Sequence, residues 1–335
     1  MENIKKNLGN ILKSGGIYFV LAILLAIIII KEPSFLSVRN FRNILTQSSV
    51  RLIIALGVAG LIVVQGTDLS AGRQVGLMGV ISATLLQSLT NVNKVFPNLG
   101  EVPIFAVLLV GAIIGIIIGL FNGFLIAFLN VTPFIATLGS MIIIYGVNSL
   151  YFDSVGASPV AGLDDRYTNL AQGFFDINGF RVPYLILYAL IAVLIVWVIW
   201  NKTTFGKNIF AIGGNPEAAK VSGVNVKMNV LAVFALSGIF YAFAGFLEAG
   251  RIGSATNNLG NMYELDAIAA CVVGGVSFSG GVGTVPGVVT GVIIFTVINY
   301  GLTYIGVNPY WQYIIKGLII VMAVALDTMK YSKKK

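Results

Sequence analysis

The chain has 335 residues, of which 57% are hydrophobic and only 10% are charged. A water-soluble protein of this length needs a far larger share of charged residues to cover its surface, so composition excludes a soluble fold and indicates a membrane protein. The formal net charge is +8. The basic residues lack the closely interleaved aromatic residues of a single-strand nucleic-acid groove, so we expect no nucleic-acid partner.

Long uncharged stretches predict membrane-spanning helices. Residues 102–152 and 267–315 contain no Asp, Glu, Lys or Arg, and each can hold two spans of about 20 residues. The runs are apolar on every face, which favours helices over the alternating pattern of a β-barrel. We predict an all-α polytopic membrane protein, a single domain over 1–335 with about ten transmembrane helices, near 15–31, 48–65, 72–90, 104–129, 134–152, 183–200, 229–248, 265–276, 284–303 and 310–327.

The distribution of lysines predicts the orientation of the chain. Ten spans place both termini on one side, and that side holds Lys5, Lys6, Lys13, Lys202, Lys207, Lys220, Lys227, Lys330 and Lys333–Lys335. Because basic residues concentrate in cytoplasmic segments, the N- and C-termini are predicted to be cytoplasmic. The long loop 201–228 is then cytoplasmic and the long loop 153–182 is periplasmic. The eighth span is too short for a full crossing, so we expect some helices to be broken at Gly-rich segments.

The segment GTDLSAGR (66–73) places Thr67, Asp68, Ser70 and Arg73 between two long apolar runs. Two interpretations are open: a solvated cytoplasmic turn, or a break that dips into the bilayer. In the second, Asp68 and Arg73 would pair, and Asp68 could cap the following helix. Thr67, Asp68 and Ser70 are therefore candidate groups of a translocation path.

A fainter copy of this pattern, GVSFSGG (275–281), shares the spacing G-x-x-x-S-x-G and adds Ser277 and Ser279 to the candidate path. Broken helices at membrane depth are tolerated only where protein or a water-filled cavity surrounds them, and transporters use them to build substrate paths. The later segment TPFIATLGSM predicts a helix with a small, mildly polar side at Thr137 and Ser140. That side either packs against a neighbouring helix or lines a passage.

The cytoplasmic loop contains GGNPEAAKVSG, which predicts a helix of about two turns. Asn215 suits the N-cap, Pro216 the first helical position, and Glu217 the positive end of the helix dipole. Gly223 suits the left-handed residue that ends such a helix. The helix is either an ordinary surface helix or a contact for another protein. The candidate residues are Asn215, Pro216, Glu217, Ala218, Ala219, Lys220 and Gly223.

The charges near the last spans are assigned to the membrane surface. Glu264 and Asp266 are expected at the start of the eighth span, where the helix dipole favours acids, and Lys316 is expected to extend to the outer surface. The sequence contains no histidine, one cysteine (Cys271), no P-loop and no nucleophile–base set. We therefore predict neither a catalytic site nor a bound metal in this chain.

Taken together, GTDLSAG, TPFIATLGSM, GGNPEAAKVSGVNV and DAIAACVVGGVSFSGGVG resemble the permease family of bacterial sugar ABC importers, which includes the ribose, xylose and galactose systems. The resemblance runs from about residue 15 to the C-terminus. The strings QGTDLSAGRQVGL, DSVGASPVAG, EAGRIGSATNNLG and GLTYIGVNPYWQYIIK are similar to the galactose and methyl-galactoside branch in particular. The resemblance implies a multi-pass permease of the bacterial inner membrane.

The resemblance also implies partners. They are a second permease chain in a homodimer, a separate cytoplasmic ATPase that binds ATP and magnesium, and a periplasmic galactose-binding protein that delivers the monosaccharide. No cofactor is then expected in this chain, and GGNPEAAKVSG would be the coupling helix seated in the ATPase. The delivering protein is expected to dock at the outer mouth, near Asp164, Asp165, Arg166, Arg251 and Asn257.

Two functions are therefore weighed. The first is import of galactose-type monosaccharides by alternating access, driven by the separate ATPase through the coupling helix. The alternative is a secondary sugar transporter driven by an ion gradient, with Asp68 as the coupling carboxylate.

Overall fold

A computed structural model of the protein describes residues 21–177 and 180–332. The predicted beginning of the first span and the lysines at both chain ends, Lys5, Lys6, Lys13 and Lys333–Lys335, lie outside the described residues. The described part is helical apart from loops and one small β-hairpin in the loop predicted to be periplasmic.

The helices follow one another in this order: α1 (Leu21–Lys31), α2 (Val38–Val63), α3 (Ala71–Leu85), α4 (Ile104–Ala127), α5 (Pro133–Ser154), α6 (Asp165–Gln172), α7 (Tyr184–Lys202), α8 (Thr204–Gly214), α9 (Pro216–Val221), α10 (Val226–Ile252), α11 (Tyr263–Val273), α12 (Val285–Tyr304) and α13 (Pro309–Ser332). A short 3₁₀ turn, Pro33–Phe35, precedes α2. Strands β1 (Phe174–Ile177) and β2 (Phe180–Pro183) pair antiparallel between α6 and α7.

Each predicted span coincides with one helix. Six helices are long and apolar enough to cross a membrane within the described residues, namely α2, α4, α5, α7, α10 and α12. By contrast, α3 has 15 residues and α11 has 11, or about 22 and 16 Å at 1.5 Å per residue. Both are shorter than the roughly 30 Å of a bilayer core. The eighth predicted span corresponds to α11, which ends at Val273, and a Gly-rich break at 274–284 separates it from α12.

The second span begins about three turns earlier than predicted. Ser37 caps α2 by accepting a hydrogen bond from Asn40 N at 3.3 Å, and the buried Asn40 amide donates to Ser34 O and Phe35 O. Hydropathy detects only the apolar part of such a helix, so its polar first turns went unassigned. The helix α8 inside loop 201–228 also went unassigned.

Helix α10 packs against α4, α3 and α2. The closest approach is to α4, which presents a glycine every fourth residue on one side. A methyl group at Gly115 would overlap the Gly238 carbonyl oxygen, and one at Gly119 would overlap the Phe234 carbonyl oxygen. The two backbones are therefore in direct contact, which is the packing that a small-xxx-small stripe permits in membranes.

We expect Gly115→Ala to lower the thermal unfolding midpoint of the detergent-purified protein, because the added methyl has no space. Overpacking of this kind costs about 1–3 kcal/mol. Gly146→Ala on α5 is the matched control, since nothing lies within 4 Å of the corresponding position there. Equal midpoints for the two variants would show that α4 and α10 do not meet at Gly115.

Candidate functional site

The segment GTDLSAGR forms a break between α2 and α3. The chain leaves α2 with Gln65 in the left-handed region (φ 62°), and α3 begins at Ala71. The Asp68 carboxylate accepts from Ser70 N at 2.8 Å and from Ser70 Oγ at 2.6 Å. Asp68 is only 1% exposed. It therefore closes the turn immediately before α3. The N-cap of α3 is Ser70, so Asp68 does not cap this helix as predicted.

Arg73 does not pair with Asp68, so that prediction is wrong. Its guanidinium instead donates from Nη2 to Asn261 Oδ1 at 2.8 Å and lies over the Tyr145 ring, 4.2 Å from the centroid. Ser70 N and Ser70 Oγ both bond Oδ1 of Asp68, so donors of the turn itself, and not the guanidinium, contact this oxygen.

A buried polar network joins the break to α4 and α5. The Ser70 hydroxyl accepts from Gln74 Nε2 at 2.9 Å and from Asn122 Nδ2 at 3.1 Å. Ser140 Oγ donates to Asn122 Oδ1, and Thr137 Oγ1 accepts from Leu69 N at 3.1 Å. Asn122 and Gln74 were not predicted from the sequence. An amide inside a charge-free span could have indicated Asn122, because a buried amide needs partners.

The structure thus brings together four of the predicted path residues, and these bond to one another and to their neighbours. Asp68, Ser70, Thr137 and Ser140 are at most 3% exposed, whereas Thr67 is half-buried. Their lining of a passage stays a prediction.

The first break lies beside residues within two membrane-span helices rather than beyond their ends. Thr137 lies one turn after the first residue of α5, and Asn122 lies about one and a half turns before the last residue of α4. Both helices qualify as membrane spans. The break therefore lies deeper than the helix ends, which favours the interpretation as a segment that dips into the bilayer over a solvated turn.

The second break, between α11 and α12, is held by an acid from the last helix. Asp327 on α13 accepts from Ser277 Oγ at 2.9 Å and from Phe278 N at 3.0 Å. Ser277 is fully buried, and its hydroxyl oxygen also accepts from Ser279 N at 3.1 Å. Asp327 was missed in the sequence because it follows the apolar part of the last span, where an acid passes for an interfacial residue.

The two breaks meet the end of α8 at one point, which we call the junction: Val63, Gln65, Gly213, Ser279 and Gly281. Gly281 N donates to Val63 O at 2.9 Å. The Gln65 amide donates to Gly213 O at 2.8 Å and to Ser279 O at 3.1 Å. A methyl group at Gly213 would overlap Val63 O and Gly281 N. Three chain segments are therefore in direct backbone contact immediately before α9.

The short helix predicted within GGNPEAAKVSG is present as α9. Asn215 Oδ1 accepts from Ala218 N at 3.0 Å, and Pro216 is the first helical residue. Gly223 has φ +86°, the left-handed conformation expected after the helix. Ala219 is buried, so only Ala218 of the two alanines is open to a partner.

Two apolar side chains near the end of α9 are exposed. Val221 is 88% exposed and Met228, at the start of α10, is 51% exposed. The flanking Glu217 and Lys220 are exposed as well. Exposed apolar residues rimmed by charges are typical of a surface that contacts another protein. Neither Val221 nor Met228 was singled out from the sequence.

The predicted docking residues fall into two groups. Asp164 caps α6, and its carboxylate bonds the Arg166 guanidinium at 2.7 Å, which holds the pKa of Asp164 below its usual range. Arg166 also pairs with Glu101 at 3.0 Å, and Asp165 lies in the first turn of α6. These side chains sit in the loop expected to be periplasmic, and Arg166 and Asp165 are exposed.

Arg251 and Asn257 instead make internal contacts. Arg251 donates from Nε and Nη2 to the two oxygens of the buried Glu248 carboxylate, both at 2.8 Å. Asn257 Nδ2 donates to Ser149 Oγ on α5 at 3.3 Å. The loop between α10 and α11 thus packs into the helical body.

An ion cluster anchors the start of α11. Asp266 pairs with Arg51 on α2 and with Lys316 on α13, both at 2.9 Å. Lys316 therefore does not extend to the outer surface as predicted, because the nearly buried Asp266 carboxylate attracts it. Glu264, the second residue of α11, is also buried.

Residues 40–324 match the family described as branched-chain amino acid transport system / permease component. The match covers most of the chain. The chain belongs to this permease family. It is accordingly the membrane-embedded permease subunit of an ABC importer, a multi-pass protein of the inner membrane. This finding supports the importer and not the alternative in which Asp68 couples transport to an ion gradient.

Named relatives cover nearly the whole chain. The galactose/methyl galactoside import permease protein MglC of Escherichia coli (strain K12) is 72% identical over 331 residues, 99% of this chain and 98% of the relative. The protein of the same name from Haemophilus influenzae is 69% identical over 336 residues, 100% of each chain. The ribose import permease protein RbsC of Bacillus subtilis (strain 168) is 37% identical over 331 residues, 98% of this chain and 97% of the relative. No solved structure gives a significant match.

We expect Asp68→Asn to lower the unfolding midpoint in detergent. The Asn oxygen can keep both bonds from Ser70, but an NH2 group then replaces the second, buried carboxylate oxygen and its N–H groups lack acceptors there. The loss corresponds to about 1–3 kcal/mol. Asp153→Asn, at an exposed acid, is the control. The pH profile of transport should keep its position, and a displaced profile would contradict a purely structural role for Asp68.

Proposed function

We propose that this chain is the permease of an importer that moves galactose and methyl galactoside into the cytoplasm. The observation that carries the proposal is the 72% identity to the galactose/methyl galactoside permease over 99% of this chain. The family description names branched-chain amino acids. However, the named relatives include galactose, ribose and allose permeases at 35% identity or more, which favours a monosaccharide.

The proposed topology has ten spans with both termini in the cytoplasm. It is supported by the lysines of the segment that holds α8 and α9, namely Lys202, Lys207, Lys220 and Lys227. Loop 201–228 then faces the ATPase and loop 153–182 faces the periplasm. Within this single domain, α3 and α11 cross only part of the bilayer.

The proposed partners are a second copy of the chain, a cytoplasmic ATPase and a periplasmic sugar-binding protein. ATP and magnesium would be held by the ATPase, whose closure supplies the energy. The exposed Val221 and Glu217 would sit in a surface groove of that subunit, which makes α9 the coupling helix. On the opposite side, the exposed Asp165 and Arg166 and the partly buried Asp164 offer charges for the delivering protein.

The junction supports a route from the ATPase to the sugar path. Helix α9 follows α8 directly, and Gly213 near the end of α8 touches Val63 and Gly281. A displacement of α8 and α9 would therefore move the end of α2 and the second break together, since no space separates the three backbones. The first break continues from α2 into the Asp68 network. Both breaks would thus change position when the ATPase closes.

The test is co-purification from bacterial membranes with the ATPase subunit, followed by sugar uptake. Glu217→Arg should reduce both the recovered ATPase and the uptake by about tenfold, because it reverses a charge on the proposed contact. Asp153→Arg places the same charge on an exposed residue of the opposite side and should leave ATPase recovery unchanged. Normal uptake by Glu217→Arg would refute the role of α9.

A further inference from the structure

Five polar side chains from three elements form a continuous stripe on the molecule, which we call the polar stripe: Arg73 on α3, Tyr145 and Ser149 on α5, and Asn257 and Asn261 in the loop before α11. Arg73 bonds Asn261 at 2.8 Å and stacks on Tyr145 at 4.2 Å. Asn257 bonds Ser149 at 3.3 Å. All five side chains are at least partly exposed, and Tyr145 is 40% exposed.

The stripe lies at mid-depth of the helical body. Tyr145 is just past the midpoint of the 22-residue helix α5, which qualifies as a membrane span. The loop before α11 reaches this depth because its backbone lies against a glycine side of α3. Methyl groups at Gly72 and Gly76 would overlap the carbonyl oxygens of Gly260 and Leu259.

Lipid is an unsuitable neighbour for this stripe. From Phe134 to Leu150 the other exposed residues of α5 are apolar, with Ile142 62%, Val147 52% and Leu150 73% exposed. Those residues suit lipid or a helix interface. Ionisable groups within membrane segments almost always face a protein interior or a water-filled cavity. The partly exposed Arg73 therefore indicates that this side of α5 meets water or a polar ligand.

Two buried atoms beneath the stripe lack hydrogen-bond partners within the described residues: Arg73 Nη1, a donor, and Asn148 Oδ1, an acceptor. A ligand reaches them only when the stripe opens during the transport cycle. Asn148 is held next to the stripe by its own amide, which donates to Asn257 O at 3.4 Å. A hydroxyl group both donates and accepts, so a polyol satisfies an unpaired donor and an unpaired acceptor together.

The buried Glu264 carboxylate lies beneath the stripe, in the space that a side chain at Gly72 would fill. The stripe itself combines an aromatic face, a planar donor and amide groups, which fits a neutral polyhydroxylated ring.

We propose that the polar stripe is the wall of the translocation path and contacts the monosaccharide, with Tyr145 against the sugar ring and Arg73 and Asn148 bonding its hydroxyls. This proposal rests on the proposed function and names its substrate contact. It also separates two sets of polar residues: the Asp68 network holds the helices, and the stripe beside it meets the sugar.

Thiol labelling tests the proposal, because the native Cys271 is fully buried. In the complete importer reconstituted in vesicles, Ser149→Cys should react with a hydrophilic, charged thiol reagent. Val147→Cys on the apolar side of the same helix is the matched control and should react at least tenfold more slowly. Galactose-loaded binding protein with ATP should change the Ser149→Cys rate severalfold. An unreactive Ser149→Cys, or a rate that turnover leaves unchanged, would overturn the assignment.

Uptake by substituted importers gives the second measurement. Arg73→Met and Tyr145→Leu should lower galactose uptake about tenfold or more while ATPase recovery stays normal. Phe121→Leu, at an aromatic residue of similar exposure on α4, should leave uptake unchanged. If the wild-type importer takes up galactose and the Arg73→Met and Tyr145→Leu variants take it up equally well, the role of the polar stripe is refuted while the proposed function stands. Absence of wild-type galactose import would refute the proposed function and, with it, the stripe.

Discussion

The hydrogen bond from Gly281 N to Val63 O, 2.9 Å long, is the contact on which the architecture depends. Two helices break inside an apolar layer, where no water can satisfy the freed backbone groups. The two breaks meet this demand partly by bonding to each other. Glycine at 281 and 213 is required because any side chain there would push the segments apart. This contact satisfies backbone groups and also joins the two breaks to the end of α8, the helix directly before α9.

Two acidic side chains also bond the backbone of the breaks. Asp68 closes the turn of the first break, and Asp327 performs the equivalent task at the second by accepting from Ser277 and Phe278. Each acid is supplied with N–H and O–H donors. Each break consequently has a fixed backbone conformation, and a displacement of α8 can move it as a rigid body.

The sequence alone predicted features that depend on residues close together in the chain, and it failed for contacts between residues far apart in the chain. The helix α9 was predicted in detail because Asn215, Pro216 and Gly223 act within a few residues of their own positions. Helix positions followed from hydropathy for the same reason. The partners of Arg73 and the role of Asp327 depend on residues far away in sequence. No local pattern encodes those contacts, and a single sequence without its three-dimensional fold cannot reveal them.

The most direct test of the central claim, that the junction transmits motion from α9 to both breaks, is the number of sugars imported per ATP hydrolysed. Gln65→Leu removes the amide that bonds Gly213 and Ser279, and Gln172→Leu removes a similar bond to Gly250 at the far end of α10. We predict that Gln65→Leu assembles and hydrolyses ATP but imports several times fewer sugars per ATP, whereas Gln172→Leu keeps the wild-type ratio. A wild-type ratio in Gln65→Leu would contradict the account.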